Sequence, residues 1–185
     1  MSIRQASLFS QILSLISRHE FAGHVKDLKA DRHSKGFSCW DQFVAMLFCQ
    51  LAQAKSLREI CQGLQCCLGK LQHLGLREAP KRSTLSYANA HHSFEVYKQT
   101  FYDVLDRCRR VAPRKKFRFR NKLLTLDATV IDLCASLFDW ARFVRTKGAV
   151  KLHLLLDHDG YLPTFASITE GKVHEVNVAR TLSFP

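Results

Sequence analysis

The chain has 185 residues, with 28 Lys and Arg against 16 Asp and Glu and a net charge of +12. Hydrophobic residues make up 46% of it, enough for a packed core, which excludes wholesale disorder and fits one or two domains. No apolar run reaches the length of a membrane-spanning helix, so no membrane partner is expected, and the basic excess points to a polyanion, with nucleic acid as the default.

Residues 1–112 read as a helical domain. Leu8, Ile12, Leu15 and Ile16 recur at helical spacing. Ser38 and Asp41 stand three apart, a capping box with Asp in place of Glu. The helix they open, WDQFVAMLFCQLAQ, is apolar on nearly every side and belongs at the centre of a bundle. Ser56 and Glu59 form a second capping box before LREICQGL. A short piece around Leu68, Leu71 and Leu74 stops at Gly75, a C-cap. KRSTLSYANAHH follows, with Ser83 or Thr84 as N-cap. Ser93 caps the last helix, whose face is Phe94, Tyr97, Phe101, Val104, Leu105 and Cys108.

Charge then marks a boundary. Residues 1–106 carry 13 basic and 9 acidic side chains, and residues 123–185 carry 6 and 7. Residues 107–122, RCRRVAPRKKFRFRNK, carry nine basic and none acidic. Arg114, Lys115, Lys116, Arg118 and Arg120 alternate in part with Phe117 and Phe119. Such a run can grip a DNA backbone by releasing counterions, or it can be a solubilising strand edge.

Residues 113–185 read as mixed α/β. LLTLDATVIDL is rich in β-forming residues and predicts a buried strand. VKLHLLLD and YLPTFASIT predict two more strands, joined by DHDG, an Asp-Gly hairpin signal. Pro163 suits an edge strand. VHEVNVARTL begins a helix.

Asp127 stands alone among apolar and Thr neighbours. An isolated buried carboxylate is costly, so it calls for a cation, a metal, a cleft or a structural hydrogen bond. Asp157 and Asp159 fit turn chemistry, and Glu175 fits a helix start. Ser56–Leu64 and Arg82–His92 are compatible with a helix-turn-helix that offers Lys81, Arg82, Ser83, Thr84, Asn89, His91 and His92 to DNA, or with a plain bundle. Cys61, Cys66 and Cys67 lack zinc-finger spacing and read as buried free thiols, and His19, His24, His33 and His73 form no ligand set. Trp140 and Phe143 read as core. With no secretory signal at the N-terminus, seven irregularly spaced cysteines fit reduced thiols in the cytoplasm.

The segments KLLTLDATVIDLCASLFDWARF and KGAVKLHLLLDHDGYLPTFASITEGKVHEVNVAR resemble the core of DDE transposases of bacterial insertion sequences, the IS-four-like group. SLFSQILSLISRHEF through RSTLSYANAHHSFEVYKQTFYDVL resembles the helical domain that precedes it in many members. The resemblance implies a ribonuclease H-like fold and transposition by metal-dependent strand cleavage and transfer. It implies that Asp127, in LDAT, is the first catalytic carboxylate and a ligand to Mg²⁺ or Mn²⁺. The second Asp, in an Asp-Arg-Gly-Tyr context, and the Glu, in a Tyr-Arg-Glu-Lys type of motif, do not occur in these residues.

The expectation is therefore α + α/β: an N-terminal helical bundle at 1–112 and a partial ribonuclease H-like mixed sheet at 113–185. The expected function is that of a truncated, inactive transposase fragment whose enzyme status rests on the missing carboxylates. It binds duplex DNA, such as transposon ends, through Lys81, Arg82 and the basic segment, holds no metal tightly, and is compatible with a homodimer. A non-enzymatic DNA-binding protein or inhibitor of transposition, and a small metal-dependent nuclease using Asp127 with Asp157, are the alternatives.

Overall fold

The computed structural model describes residues 7–32, 34, 36–67, 70–111, 123–133, 142–144, 147–158, 160 and 162–182. Arg114, Lys115, Lys116, Arg118 and Arg120 lie outside the described residues, as do His33, Leu68, Phe117, Phe119, Asp139, Trp140 and Asp159 and the side chains of Asp132 and Phe143. The fold is mixed, with seven α-helices and one antiparallel sheet among the described residues. It divides into two compact units, residues 1–104 and 105–185.

The helical unit opens with α1 (Leu8–Ser14) and α2 (Arg18–Asp27). Helical spacing predicts Leu8 and Leu15 as part of the buried stripe, yet they are 73% and 67% exposed. The stripe that packs is Phe9, Leu13 and Ile16, because α1 ends at Ser14 and the chain turns. Ser17 then caps α2, its Oγ accepting the Glu20 N–H at 3.2 Å. Ser17 and Glu20 are a capping-box pair by spacing, so the start of α2 was readable.

Helix α3 (Cys39–Leu51) follows. Ser38 and Asp41 cap it reciprocally, as their spacing predicts: the Asp41 carboxylate accepts the Ser38 N–H at 2.7 Å, and Ser38 Oγ accepts the Asp41 N–H at 3.2 Å. Such a cap is worth about 1 kcal/mol. Cys39, Trp40, Gln42, Val44 and Ala45 are buried, so α3 does form the centre of the bundle. Trp40 anchors it, donating Nε1–H to the Leu74 carbonyl at 3.1 Å and meeting Phe21 edge-on at 5.1 Å. Helix α4 (Leu57–Gln65) buries Ile60, Cys61 and Leu64. At its start Ser56 accepts from the Glu59 N–H, while Glu59 reaches one residue further back, to the Lys55 N–H at 2.8 Å. The Lys55 N–H, followed by the Ser56 hydroxyl, which donates to Glu59 Oε1 at 3.1 Å, holds the exposed Glu59 carboxyl below its usual range.

A 3-10 turn, Leu71–Leu74, ends at Gly75 with φ +81°, a left-handed C-cap that only glycine adopts cheaply. Helix α5 (Arg82–His91) begins at Arg82, with Lys81 rather than Ser83 or Thr84 at the N-cap and no side-chain cap bond. Helix α6 (Glu95–Val111) also departs from its predicted face. Phe94 and Phe101 are 68% and 42% exposed, whereas Val96 and Thr100 are buried. Thr100 satisfies its hydroxyl by donating to the Val96 carbonyl at 2.8 Å.

The second unit holds β1 (Leu124–Leu133), β2 (Arg142–Val144), β3 (Lys147–Asp157), β4 (Leu162–Glu170) and α7 (Glu175–Ala179). β3 is central. It pairs antiparallel with β1 on one side and with β4 on the other, and the short β2 joins near its start. The β3–β4 hairpin turns through Gly160 at φ +105°, and Pro163 falls beside a bulge on β4, as an edge-strand proline should.

The composition of β1 predicts burial, but Thr125, Asp127, Thr129 and Ile131 are exposed. Among the described residues β1 pairs with β3 alone. The register puts Leu152, Leu154 and Leu156 of β3 and Ala166 and Ile168 of β4 on the same face as Asp127. The opposite face carries His153, which is fully buried; its Nε2 lies 2.9 Å from Thr169 Oγ1. Burial pushes the His153 pKa down, the Lys151 charge adds to that, and Glu175 at the start of α7 opposes it.

Candidate functional site

The structured DNA-facing candidates lie on α5. Lys81, Arg82 and Ser83 are exposed at its start. Ser83, Thr84, Tyr87 and His91 form one wall of a groove of about 850 Å³, and Lys29 and Arg32, from the turn after α2, stand on the other. The Tyr87 and His91 rings stack at 3.8 Å and 15°, which helical i,i+4 spacing permits. His91 Nδ1 bonds the Tyr87 carbonyl at 2.8 Å and fixes that pose. A smaller recess of about 170 Å³, next to Thr84, is lined by Arg77, Glu78 and Lys81. The groove thus joins cations, hydroxyls and a flat ring pair on one surface.

Two residues expected at DNA, the exposed Asn89 and the half-buried His92, spend side-chain hydrogen bonds on α3. Asn89 Oδ1 accepts from Gln42 Nε2 at 2.6 Å, and Asn89 Nδ2 donates to Met46 Sδ at 3.6 Å. His92 Nδ1–H donates to Gln42 Oε1 at 2.7 Å, and the Tyr97 hydroxyl donates to the same oxygen at 2.5 Å. Gln42 is 5% exposed, so its three bonds satisfy a buried amide. Nor is α4–α5 a helix-turn-helix. Residues 66–81 and their 3-10 turn separate the two helices, where that motif has a turn of three or four residues.

Beside this network, Asp31, Cys39 and His92 bring a carboxylate oxygen, a thiol sulfur and a ring nitrogen within 4.8 Å of one another. Asp31 Oδ1 accepts the Cys39 N–H at 2.8 Å. Burial first, then the hydrogen bond and charge of Asp31, push the Cys39 thiol up to about 12. Burial also raises the Tyr97 phenol, with Cys39 and Asp31 adding to it. Burial lowers the His92 pKa, against the charge of Asp31. Sequence spacing carries no signal for this cluster, whose members come from three separate segments. The other cysteines differ from one another: Cys61 is buried, Cys67 is half-buried, and Cys66 is exposed where a buried thiol was expected.

The basic stretch is partly neutralised within the chain. Arg110 pairs with Asp106 one helical turn earlier, and Arg109 donates to the Pro163 carbonyl at 3.3 Å. A charge count over 107–122 misses Asp106, because helical geometry reaches across the window edge. The Arg110 guanidinium holds the Asp106 carboxyl below its usual range.

Asp127 is exposed in mid-strand, and its Oδ1 accepts the Ala128 N–H at 2.8 Å. It faces Leu154 across the ladder, while Asp157 faces Leu124. Strand alternation puts Asp127 and Asp157 on opposite faces, so they do not converge on one ion. Glu170 shares the Asp127 face but lies two strands away and four residues along, roughly 13 Å in the strand direction alone. It pairs with Lys172 at 2.8 Å. A Mg²⁺ or Mn²⁺ site for phosphodiester chemistry needs several converging oxygens, and the described residues offer one carboxylate. They do not fit that ion.

Residues 4–77, less than half of the chain, match a family model described as a domain of unknown function (DUF4372). No curated protein and no solved structure matches the chain. The matched stretch runs from α1 through the 3-10 turn and Gly75, so it includes Asp31, Cys39, Gln42 and the Lys29–Arg32 wall of the groove and stops before α5.

Proposed function

We propose that this chain is the DNA-holding part of a transposition protein of the DDE type. The observation that carries the reading is the groove, in which Lys29 and Arg32 face Ser83, Thr84 and the stacked Tyr87 and His91 rings, with Lys81 and Arg82 exposed nearby. Cations and hydroxyls hold phosphates, and a flat ring pair offers a surface to an exposed base or sugar. The match over residues 4–77 supports the same reading, since that domain is found at the N-termini of transposase-like proteins. So does the second unit, where three long antiparallel strands precede a helix and Asp127 is exposed in the first. That is the order a ribonuclease H-like domain of this family is expected to begin with.

Binding to a labelled duplex, followed by anisotropy between about 50 and about 200 mM salt, tests the groove. The wild-type chain is expected to lose affinity steeply as salt rises. Changing Lys81 and Arg82 together to Gln should reduce the slope of log K against log salt by a little under one for each phosphate no longer neutralised, about 1.8 in all. An unchanged slope would remove α5 from the interface.

The 185 residues acting alone are expected to bind DNA without cutting it. With Mg²⁺ or Mn²⁺ added, a transposon-end duplex should stay intact, and Asp127→Asn should leave that result unchanged. Metal-dependent nicking that disappears in Asp127→Asn would overturn this and would require a second carboxylate close to Asp127.

A further inference from the structure

We infer that Asp31, Cys39 and His92 form a site for a zinc-class cation, separate from any hard-cation site at Asp127. The three are of different ligand types and come from three segments: the turn after α2, the first residue of α3, and the residue that ends α5. Their ligand atoms already lie within 4.8 Å of one another. Zinc draws S, N and O ligands to about 2.0–2.3 Å, so closing on an ion needs side-chain shifts of roughly an ångström.

The surroundings are those of a supported ligand set. Metal-bound histidine usually donates its other N–H to a fixed acceptor. His92 Nδ1–H donates to Gln42 Oε1, which is itself fixed by the Tyr97 hydroxyl and by the Gln42 bond to Asn89. In that tautomer Nε2 would be the nitrogen that meets the ion. The Asp31 carboxylate is oriented by the Cys39 N–H, which donates to Oδ1 at 2.8 Å, and the Cys39 thiol hydrogen-bonds the same carboxylate. Cys39 is fully buried, so its sulfur is shielded from bulk solvent. The mixed sulfur, nitrogen and oxygen set selects a borderline metal such as Zn²⁺ or Co²⁺ over Mg²⁺. Three protein ligands leave a fourth position for water or a further group. His92 also lines the groove, and Asp31 adjoins Arg32 on its other wall. The ion would therefore tie together the two segments that carry the groove's cations and rings.

The test is a Co²⁺ titration of the reduced 185-residue chain, read by visible absorption. One equivalent should give tetrahedral d–d bands and a thiolate-to-cobalt charge-transfer band, and Zn²⁺ should displace it. Cys39→Ser should abolish the charge-transfer band. His92→Gln and the near-isosteric Asp31→Asn should each weaken binding about tenfold or more. Changing Cys66 and Cys67 together to Ala should leave the spectrum as it is. Zn²⁺ should also raise the melting temperature of the wild-type chain and not that of Asp31→Asn. No charge-transfer band in the wild type, or a band that survives Cys39→Ser, would show that Asp31 and Cys39 are only a hydrogen-bonded pair. If Cys39→Ser does not fold, equal Co²⁺ affinity in His92→Gln and the wild type overturns the site.

Discussion

Changing Arg114, Lys115, Lys116, Arg118 and Arg120 together to Gln is expected to cut affinity for duplex DNA by about 10³-fold or more near physiological salt. Each phosphate neutralised contributes about 0.9 to the slope of log K against log salt, so removing five such cations flattens the slope by up to about 4.5. No acid occurs between residues 107 and 122 to offset these cations, and the nearest, Asp106, already pairs with Arg110. A filter-binding titration at several salt concentrations measures both quantities. Equal affinity and slope in the variant and wild-type chains would mean that these cations serve solubility instead.

The largest stability effect is expected at Gln42. Gln42→Leu keeps the volume roughly constant but takes the Gln42 partner from the half-buried His92 N–H and Tyr97 hydroxyl and from the exposed Asn89 amide. Each unmet buried polar group costs about 1–3 kcal/mol; His92 and Tyr97 are half-buried and water reaches the exposed Asn89, so a total near about 2–4 kcal/mol is expected. Urea denaturation, followed by far-ultraviolet circular dichroism, reads this as a large fall in the midpoint at a similar slope. A fall under about 1 kcal/mol would mean that water or a rearrangement satisfies the three partners. The network bears on function as well, because it fixes the His92 ring and, through Asn89, the inner side of α5.

Local signals proved readable where a single turn or cap decides the outcome. Ser38 with Asp41, Ser56 with Glu59, and Gly75 all act within four residues, and spacing alone exposes them. The three long strands and the hairpin at Gly160 are equally local. Burial was less readable. Phe94 and Phe101 outrank Val96 and Thr100 in hydrophobic content, yet it is the smaller pair that is buried. The site residues escape for a stronger reason. Gln42 meets partners 47 to 55 positions away, and Cys39 meets His92 across a similar span. Those meetings depend on how α3, α5 and α6 pack, which no motif spacing encodes. Lys29 and Arg32 look like ordinary solvated charges until the turn sets them opposite α5.

The placement of β1 has a consequence for how the protein behaves in a test tube. Among the described residues its outer side has no neighbouring strand, and its sequence, LTLDATVIDL, is built from residues that favour intermolecular pairing. Such a ribbon would be sticky along its whole length were it not for the negative charge near its centre. Asp127 is therefore expected to act as a gatekeeper: a strand that pairs with this edge must set its own side chains beside a carboxylate. Replacing that carboxylate with Ala removes the guard as well as the acid. A drop in soluble yield or a rise in oligomer content after that exchange would then report the chemistry of an edge, not the loss of an active site. This is why Asp127→Asn, which keeps a polar and well-hydrated group in place, is the cleaner substitution at this position.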